Sequence, residues 1–262
     1  MKLPIAQKRF QFIGCEIIYR EACHLAARCG HRVDVQFLPK GLHDLETRDM
    51  LSRIQQTVDQ VEPDQADAIL LGYARCNDGL VGLEARSVPL VIPRAHDCIT
   101  LFFGSRDRYM KWFQEHPGTY YMTTGWAERE NDAIGSEQPA FGQTGVMKHL
   151  GLTESYADMV ARYGKNNADY ILSTLGDWRK NYTDLLYLEM GVCDESPFID
   201  AARAEARENG WTFRKAPGDL SLLERLFGGE WDEDFVIIPP GGKLVARNDN
   251  DVLDVQMNEK EQ

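Results

Sequence analysis

The chain has 262 residues, 43% of them hydrophobic and 27% charged, which is typical of a globular protein that forms one large domain or two lobes. Its formal net charge of −12 argues against nucleic acid or an anionic membrane as a partner. No apolar run is long enough to span a bilayer or to act as a signal peptide. We therefore expect a cytoplasmic protein whose six Cys residues stay reduced.

The first half of the sequence alternates short apolar runs with amphipathic stretches. Strands are predicted at residues 9–13, 33–38, 68–71, 89–92 and 119–124. Helices are predicted over residues 18–28, 47–61, 80–85 and 107–115, with another beginning at residues 99–103. This alternation predicts an α/β fold, with a Rossmann-like parallel sheet and helices on both of its faces.

The second half repeats this pattern on a smaller scale. Residues 129–145 are polar and rich in Gly and Gln, which predicts a loop, and residues 153–180 are expected to form two helices that break near Gly164. Strands at 185–189, 211–214 and 235–238 then alternate with helices at 197–208 and 220–227. Two similar lobes are therefore expected: residues 1–128 and 185–248, joined by a connector at 129–184 and followed by an acidic tail at 249–262 that we expect to fray.

Three Cys residues, Cys15, Cys76 and Cys98, each lie at or just past the end of a predicted strand. Parallel strands end at a common edge, so residues distant in sequence become neighbours there. Thiolates are ligands of Zn²⁺ and also hold iron–sulfur clusters. The sequence therefore predicts one shared metal site, with zinc as the first choice and a [4Fe–4S] cluster as the alternative. The competing interpretation is three buried Cys with no ligand.

Two His and two acidic residues adjoin these thiols. His96 lies two residues before Cys98, and His43 follows the second strand, so both reach the same edge. Each can be a further ligand or a general acid/base, and His43 can also be a simple turn residue. Glu16 and Asp97 can orient an imidazole, act as bases, or lie as carboxylates at helix N-termini.

Small and aromatic residues at the same edge are candidates for binding a cofactor or substrate. The turn from Gly72 to Gly79 and the pair Gly104–Ser105 can offer backbone N–H groups to an anion. Arg75 and Arg94 can bind a carboxylate or phosphate, or face solvent, and Cys193 is a reserve ligand at the equivalent turn of the second half. The residues assigned to cofactor binding are Tyr73, Asn77, Gly104, Ser105 and Tyr121.

The order of these motifs resembles a family of bacterial and archaeal proteins called domain of unknown function 1638. The resemblance rests on the segments Gly14-Cys15, Leu42-His43-Asp44, Gly72-Tyr73, Cys76-Asn77-x-Gly79, Pro93-x-x-His96-Asp97-Cys98-Ile99, Gly104-Ser105, Gly118-Thr-Tyr-Tyr121, Gly125-Trp126 and Tyr163-Gly164 with Asn167-Ala168. Where the family typically has Gly-Leu-Cys-Gly-Asn-Gly, this chain has Ala-Arg-Cys-Asn-Asp-Gly, so the Cys is kept and the flanking glycine is lost.

The resemblance implies that Cys15, Cys76, His96 and Cys98 belong to a family signature, without implying an established activity. It also implies an association with corrinoid-dependent methyltransferases and so with one-carbon metabolism. The expected function is a metal-dependent enzyme that acts on a small molecule, by thiol or methyl transfer, with a corrinoid protein or methyltransferase as a partner. The alternatives are a [4Fe–4S] enzyme with an open iron, a non-enzymatic accessory protein that handles corrinoid or metal, and a plain α/β domain.

Overall fold

The computed structural model of the chain describes residues 7–44, 47–76, 78–128, 156–175 and 178–257. The described strands are β1 Arg9–Cys15, β2 Arg32–Leu38, β3 Ala68–Gly72, β4 Leu90–Pro93, β5 Thr119–Met122, β6 Asp184–Glu189, β7 Thr212–Pro217, β8 Phe235–Ile238, β9 Gly242–Ala246 and β10 Leu253–Met257. The α-helices in these ranges are α1 Tyr19–Ala26, α2 Thr47–Asp59, α3 Ile99–Phe103, α4 Arg106–Glu115, α5 Thr124–Glu128, α6 Tyr156–Tyr163, α7 Lys165–Leu175, α8 Ser196–Glu208 and α9 Ser221–Gly228. Short 3-10 helices cover Glu16–Ile18, Lys40–Asp44 and Trp178–Asn181.

The first sheet has the strand order β2-β1-β3-β4-β8. Strands β2, β1, β3 and β4 are parallel, and Gly14 of β1 pairs with Gly72 of β3. The chain leaves β1 for β2 on one side and later returns to β3 on the other side. The strand order therefore reverses at β1, and in sheets of this type ligands bind at the carboxyl ends of the strands beside such a reversal. The expected α/β class with a mostly parallel sheet is confirmed.

The second sheet contains β5, β6 and β7, all parallel. Strand β5 was expected to be the fifth strand of the first sheet, but it pairs with β6 through Thr119 and Asp184. Strand β8 takes the place beside β4 and runs antiparallel, from Leu90 opposite Ile238 to Pro93 opposite Phe235. The assignment of strands to the two sheets thus differs from the expected one, because hydrophobic periodicity identifies strands but not the strands they pair with.

Two local predictions were wrong. Residues 80–85 form a turn rather than a helix, since Gly82 has a φ of +101° that no α-helix accepts, and Glu84 bridges to Lys243. The segment after residue 248 does not fray over its described part: β10 pairs with β9, and Leu253 is buried. Arg247 also forms ion pairs there, with Asp249 and Asp254 among its partners.

The described buried apolar residues form two clusters. The smaller one, with Leu185 and Tyr187, lies at the second sheet, and the larger one extends across both sheets. The larger cluster joins Phe12 and Val91 of the first sheet to Leu186 and Leu188 of the second. A close backbone contact holds the sheets together at their carboxyl ends: a Cβ at position 125 would overlap the carbonyl oxygen of Ile17, so only glycine fits there. The residues that follow β1 are therefore packed against α5, which follows β5.

No described helix has both the length and the apolar character that crossing a membrane requires.

Candidate functional site

Cys15 is the last residue of β1, at the carboxyl edge of the first sheet, and its side chain is buried. Burial raises the pKa of the Cys15 thiol to about 12, and the neighbouring charge of Glu16 adds to this. The nearby charge of Lys40 acts in the opposite direction. The thiol is therefore protonated at neutral pH in the chain alone.

Cys76 lies in the turn after β3 and has a φ of +48°, in the left-handed region that residues other than glycine rarely adopt. The turn is fixed by two backbone hydrogen bonds: the Arg75 amide donates to the Ala95 carbonyl at 2.9 Å, and the Cys76 amide donates to the His96 carbonyl at 3.1 Å. Burial raises the pKa of the Cys76 thiol to about 12, with further contributions from the charges of Cys15 and Asp97. A strained residue that its surroundings hold in place is typical of functional sites.

Cys98 directly precedes α3 and is buried. Burial raises the pKa of its thiol well above the usual range, and the charges of Cys76, Asp97 and Cys15 raise it further. Each thiol thus lies within reach of the charge of another, and Cys98 within reach of both. The fold brings together three Cys residues that are far apart in the sequence.

Tyr73, the first residue after β3, lies beside these thiols. Its side chain is 1% exposed, and its hydroxyl has no hydrogen-bond partner among the described residues. Burial raises the pKa of this phenol well above its usual value, followed by the charges of Cys15, Cys76 and Glu16. Buried hydroxyls are nearly always hydrogen-bonded, so Tyr73 is a group that a ligand of the thiol site could satisfy.

Asp97 caps helix α3. Its Oδ1 accepts hydrogen bonds from the amides of Ile99 at 3.1 Å and Thr100 at 3.4 Å, and the Tyr109 hydroxyl donates to its Oδ2 at 2.9 Å. Burial raises the pKa of this carboxyl, and these hydrogen bonds partly offset the rise. Of the roles considered for Asp97, the helix N-terminal carboxylate is the one that the geometry displays.

His96 has an exposed side chain, although its carbonyl oxygen accepts a hydrogen bond from the Cys76 amide.

His43 lies in the 3-10 helix Lys40–Asp44, which follows β2. This helix is attached to the residue after Cys15, because the Lys40 amide donates to Glu16 Oε1 at 2.8 Å. The Nε2 atom of His43 is buried and has no hydrogen-bond partner among the described residues. Burial lowers the pKa of His43, so its imidazole is neutral at physiological pH.

The remaining candidates for cofactor binding have different surroundings. Gly104 ends α3 with a φ of +71°, and a Cβ there would lie 2.6 Å from Cγ of Asp219. Ser105 caps α4 by accepting from the Arg108 amide at 3.1 Å. Tyr121 lies within reach of the charge of Asp97, and burial together with that charge raises its pKa to about 12. Asn77 lies outside the described residues.

Arg75 and Arg94 are engaged with the chain itself. Arg75 forms an ion pair with Asp78 and donates to the Arg247 carbonyl at 3.1 Å. Arg94 donates to the carbonyls of Asp251, at 3.0 Å, and Leu253. Both side chains therefore attach the β9–β10 hairpin to the turns that carry the thiols, which reduces their capacity to bind a substrate anion.

Sequence reasoning missed Glu21 and Glu195, two acidic residues that are almost completely buried. Glu21 lies on the face of α1 that also buries Ala22 and Leu25. A carboxylate within an apolar stripe was the signal that could have identified it. Cys193, the reserve ligand, lies near Glu195 and Arg20, whose charges act on its thiol.

Within the part of the chain that the structure describes, no three His, Cys, Asp or Glu side chains are arranged as they stand to hold a metal ion. The three thiols are near one another but not in a coordination geometry. Any metal bound there would require the thiols to lose their protons and their side chains to rearrange.

Comparison with models of protein families gives a match over residues 37–227. No curated protein and no solved structure is significantly similar to the chain. The matched family segment includes Cys76, His96, Cys98 and Cys193, while Cys15 lies before it. The resemblance inferred from the sequence motifs is thereby confirmed, and the chain belongs to the family described as "Protein of unknown function (DUF1638)", whose model matches residues 37–227.

Proposed function

We propose that Cys15, Cys76 and Cys98 together bind a metal ion, zinc in the first instance, and that the protein is a metal-dependent enzyme acting on a small molecule. One observation carries this proposal: three buried thiols from neighbouring parallel strands lie within reach of one another's charge. Their position at the carboxyl edge, where the strand order reverses, is the usual place for a ligand in such a sheet.

The electrostatics of the cluster favour a cation. The charge of Cys15 raises the pKa of Cys76 and of Cys98, and the charge of Cys76 raises the pKa of Cys98. The three buried thiols therefore cannot ionise together without a compensating positive charge. Zn²⁺ supplies that charge and forms strong bonds with thiolates, so its binding should release protons. The buried Tyr73 hydroxyl can then donate to a thiolate sulfur or to a bound substrate.

Of the two His residues, His43 suits the role of fourth ligand better. Its Nε2 is buried and unpartnered, and the neutral imidazole that burial favours is the form that binds metal. His96 is exposed and next to Asp97, which suits an acid/base at the open side of the site. Asp97 positions Cys98 by capping the helix that Cys98 precedes.

A thiolate-bound zinc lowers the pKa of a bound thiol or water and so provides a nucleophile. Thiol or methyl transfer is the reaction class that fits such a negatively charged donor set. A role in corrinoid-linked one-carbon metabolism, with a corrinoid protein or methyltransferase as partner, is part of this proposal and rests on the family resemblance.

Among the described residues, Cys15, Cys76 and Cys98 are the thiols whose charges act on one another. The pKa of the Cys193 thiol is affected instead by the charges of Arg20 and Glu195. Three thiolates also suit a [4Fe–4S] cluster with one open iron, which is the second candidate. A buried site with an exposed His96 beside it accommodates either group.

Metal and sulfide analysis of protein purified without oxygen tests the proposal. We expect about one zinc per chain and a colourless protein. A brown protein that contains iron and acid-labile sulfide would identify the bound group as a [4Fe–4S] cluster instead of zinc. Metal-free protein that also fails to take up either group on reconstitution would refute the site. The matched variants His43→Ala and His96→Ala separate the two His roles: we expect only the first to weaken zinc binding, by at least about tenfold.

A further inference from the structure

A second group of polar side chains lies where the two sheets meet, apart from the three thiols. Its centre is a pair of buried acids: Glu21 on α1 is 0% exposed, and Glu195, which precedes α8, is 4% exposed. Acidic residues are almost never fully buried unless they are paired or bind a cation. Two such residues in one place therefore require a partner that compensates for the burial of their carboxyl groups.

The side chain of Glu195 accepts hydrogen bonds from three donors. The amide of Gly191 donates to Oε1 at 2.6 Å, while the hydroxyls of Tyr187 at 3.0 Å and Thr124 at 3.2 Å donate to Oε2. Thr124 and Tyr187 are themselves buried and lie 2.8 Å apart. These hydrogen bonds fix the position of the Glu195 side chain and supply no cation beside it.

Glu21 has the opposite environment. Neither of its carboxyl oxygens has a hydrogen-bond partner among the described residues. The chain segment that precedes it is packed against α5, because Gly125 contacts the Ile17 carbonyl, and the adjacent Thr124 binds Glu195. The carboxyl of Glu21 consequently lies within reach of the charge of Glu195.

Among the described residues, Arg20 is the cation whose charge acts on Glu21, and its guanidinium is paired with another acid. Arg20 forms an ion pair with Glu128, with its Nε 2.9 Å from both carboxylate oxygens. The group formed by Arg20, Glu21, Glu128 and Glu195 thus carries one positive charge against three ionisable carboxyls. Its oxygen donors, carboxylates and hydroxyls, are the ligands that hard divalent cations prefer.

We propose that Glu21 and Glu195 form a binding site for a hard divalent cation of the Mg²⁺ or Mn²⁺ type, which ties α1 of the first sheet to the second sheet. The unpartnered, fully buried carboxyl of Glu21 supplies a free ligand, and the fixed carboxylate of Glu195 supplies a second. This site is separate from the thiol site and does not depend on it.

A proton competes with the cation for Glu21. Burial raises the pKa of Glu21 to about 7. The interaction of the carboxyl with its own backbone and the charge of Arg20 oppose this rise, while the charges of Glu195 and Glu128 add to it. The other titratable groups nearby are the half-buried thiols of Cys23, which is influenced by Glu21, and Cys193, which is influenced by Glu195. Cation binding should therefore be tighter at about pH 8 than at about pH 5.5.

The test uses Mn²⁺ as the probe and the electron paramagnetic resonance signal of free Mn²⁺ as the readout, on the full chain freed of metals by chelation. We expect saturable binding of one Mn²⁺ per chain at about pH 8, weakened at about pH 5.5. Glu21→Gln, which keeps the shape and removes the charge, should weaken binding by more than about tenfold. Asp200→Asn changes an exposed carboxylate in the same way and should leave binding intact.

Absence of saturable Mn²⁺ binding by the unmodified chain would overturn the proposal, whether or not Glu21→Gln folds. Equal binding by a folded Glu21→Gln protein would also overturn it. Cys98→Ala distinguishes the two metal proposals, because this variant should lose zinc from the thiol site and still bind Mn²⁺. Loss of Mn²⁺ binding in Cys98→Ala together with unchanged binding in Glu21→Gln would place the cation at the thiols and contradict the inference.

Discussion

The amide of Cys76 donates a hydrogen bond to the carbonyl oxygen of His96 at 3.1 Å. This bond joins the turn after β3 to the turn after β4, which carries Cys98 two residues further along. Together with the bond from the Arg75 amide to the Ala95 carbonyl, it fixes the two turns side by side. Because of this pairing, the thiols of Cys76 and Cys98 share one buried space although 21 positions of sequence separate them.

The left-handed backbone of Cys76 predicts an unusual order of stability for two substitutions. With a φ of +48°, an alanine there is strained, whereas a glycine is not. We expect Cys76→Gly to be more stable than Cys76→Ala by roughly 0.5–1 kcal/mol, after the larger chain entropy of glycine is subtracted. Urea unfolding of the two variants measures this difference.

Cys15 provides the matched control, since it is buried at the same edge with an ordinary extended φ of −68°. There Cys15→Ala should be more stable than Cys15→Gly by about 0.5–1 kcal/mol, the usual order in a strand. If alanine were the more stable residue at both positions, the strained turn would not describe the protein in solution.

The capping role of Asp97 predicts a coupled loss of stability. Asp97→Ala removes an acceptor from the first turn of α3 and leaves the Tyr109 hydroxyl without its partner, so it should cost about 1–2 kcal/mol of unfolding free energy. Tyr109→Phe should cost about 1 kcal/mol. Since both changes remove the same hydrogen bond, the double variant should cost less than the sum.

Asp97→Asn is the conservative control, because asparagine also caps helices well. It should lower the free energy of unfolding by less than Asp97→Ala does. Strict additivity of Asp97→Ala and Tyr109→Phe in a double-mutant cycle would mean that the two side chains do not interact.

The buried Glu21 predicts a dependence of stability on pH in the presence of a chelator. Its pKa is about 7 in the folded chain and near 4.5 when exposed, so between these values the folded protein holds a proton that the unfolded chain releases. The stability contributed by that proton is present below about pH 4.5 and is lost as the pH rises through about 7. Relative to Glu21→Gln, the free energy of unfolding of the unmodified protein should fall by about 3 kcal/mol between pH 4.5 and pH 8.

Denaturant unfolding at a series of pH values measures this difference, with Asp200→Asn as the exposed control that should follow the unmodified protein. Parallel pH profiles for the unmodified protein and Glu21→Gln would show that Glu21 is not buried as an acid. Addition of Mn²⁺ at high pH should restore part of the lost stability to the unmodified protein alone.

The convergence of Cys15, Cys76 and Cys98 could be predicted because it follows from topology. Each residue ends an apolar run, and parallel strands finish at one edge, so their proximity requires no knowledge of side-chain packing. The partners of β5 and β8 could not be predicted in this way. Alternation identifies strands, but the pairing of Leu90 with Ile238 depends on how the whole chain packs.

The roles of the individual polar residues were also beyond the sequence. The spacing of His96 and Cys98 is compatible with either side chain facing inwards, and only the fold shows that His96 is exposed and Cys98 buried. Glu21 is buried, and α5 contacts the chain four residues before it, at Ile17, through Gly125, which lies more than one hundred residues further along the sequence. Burial that arises from such contacts leaves little trace in local sequence.

The metal content of single Cys variants tests the central proposal most directly. Cys29→Ala is the matched control, since the Cys29 thiol lies 3.4 Å from the His31 carbonyl oxygen and contributes to a different part of the molecule. In protein purified without oxygen, we predict about one zinc per chain for the unmodified protein and for Cys29→Ala, and a large loss for each of Cys15→Ala, Cys76→Ala and Cys98→Ala. Full metal content in all three variants, or no metal in the unmodified protein even after reconstitution, would contradict the shared thiolate site.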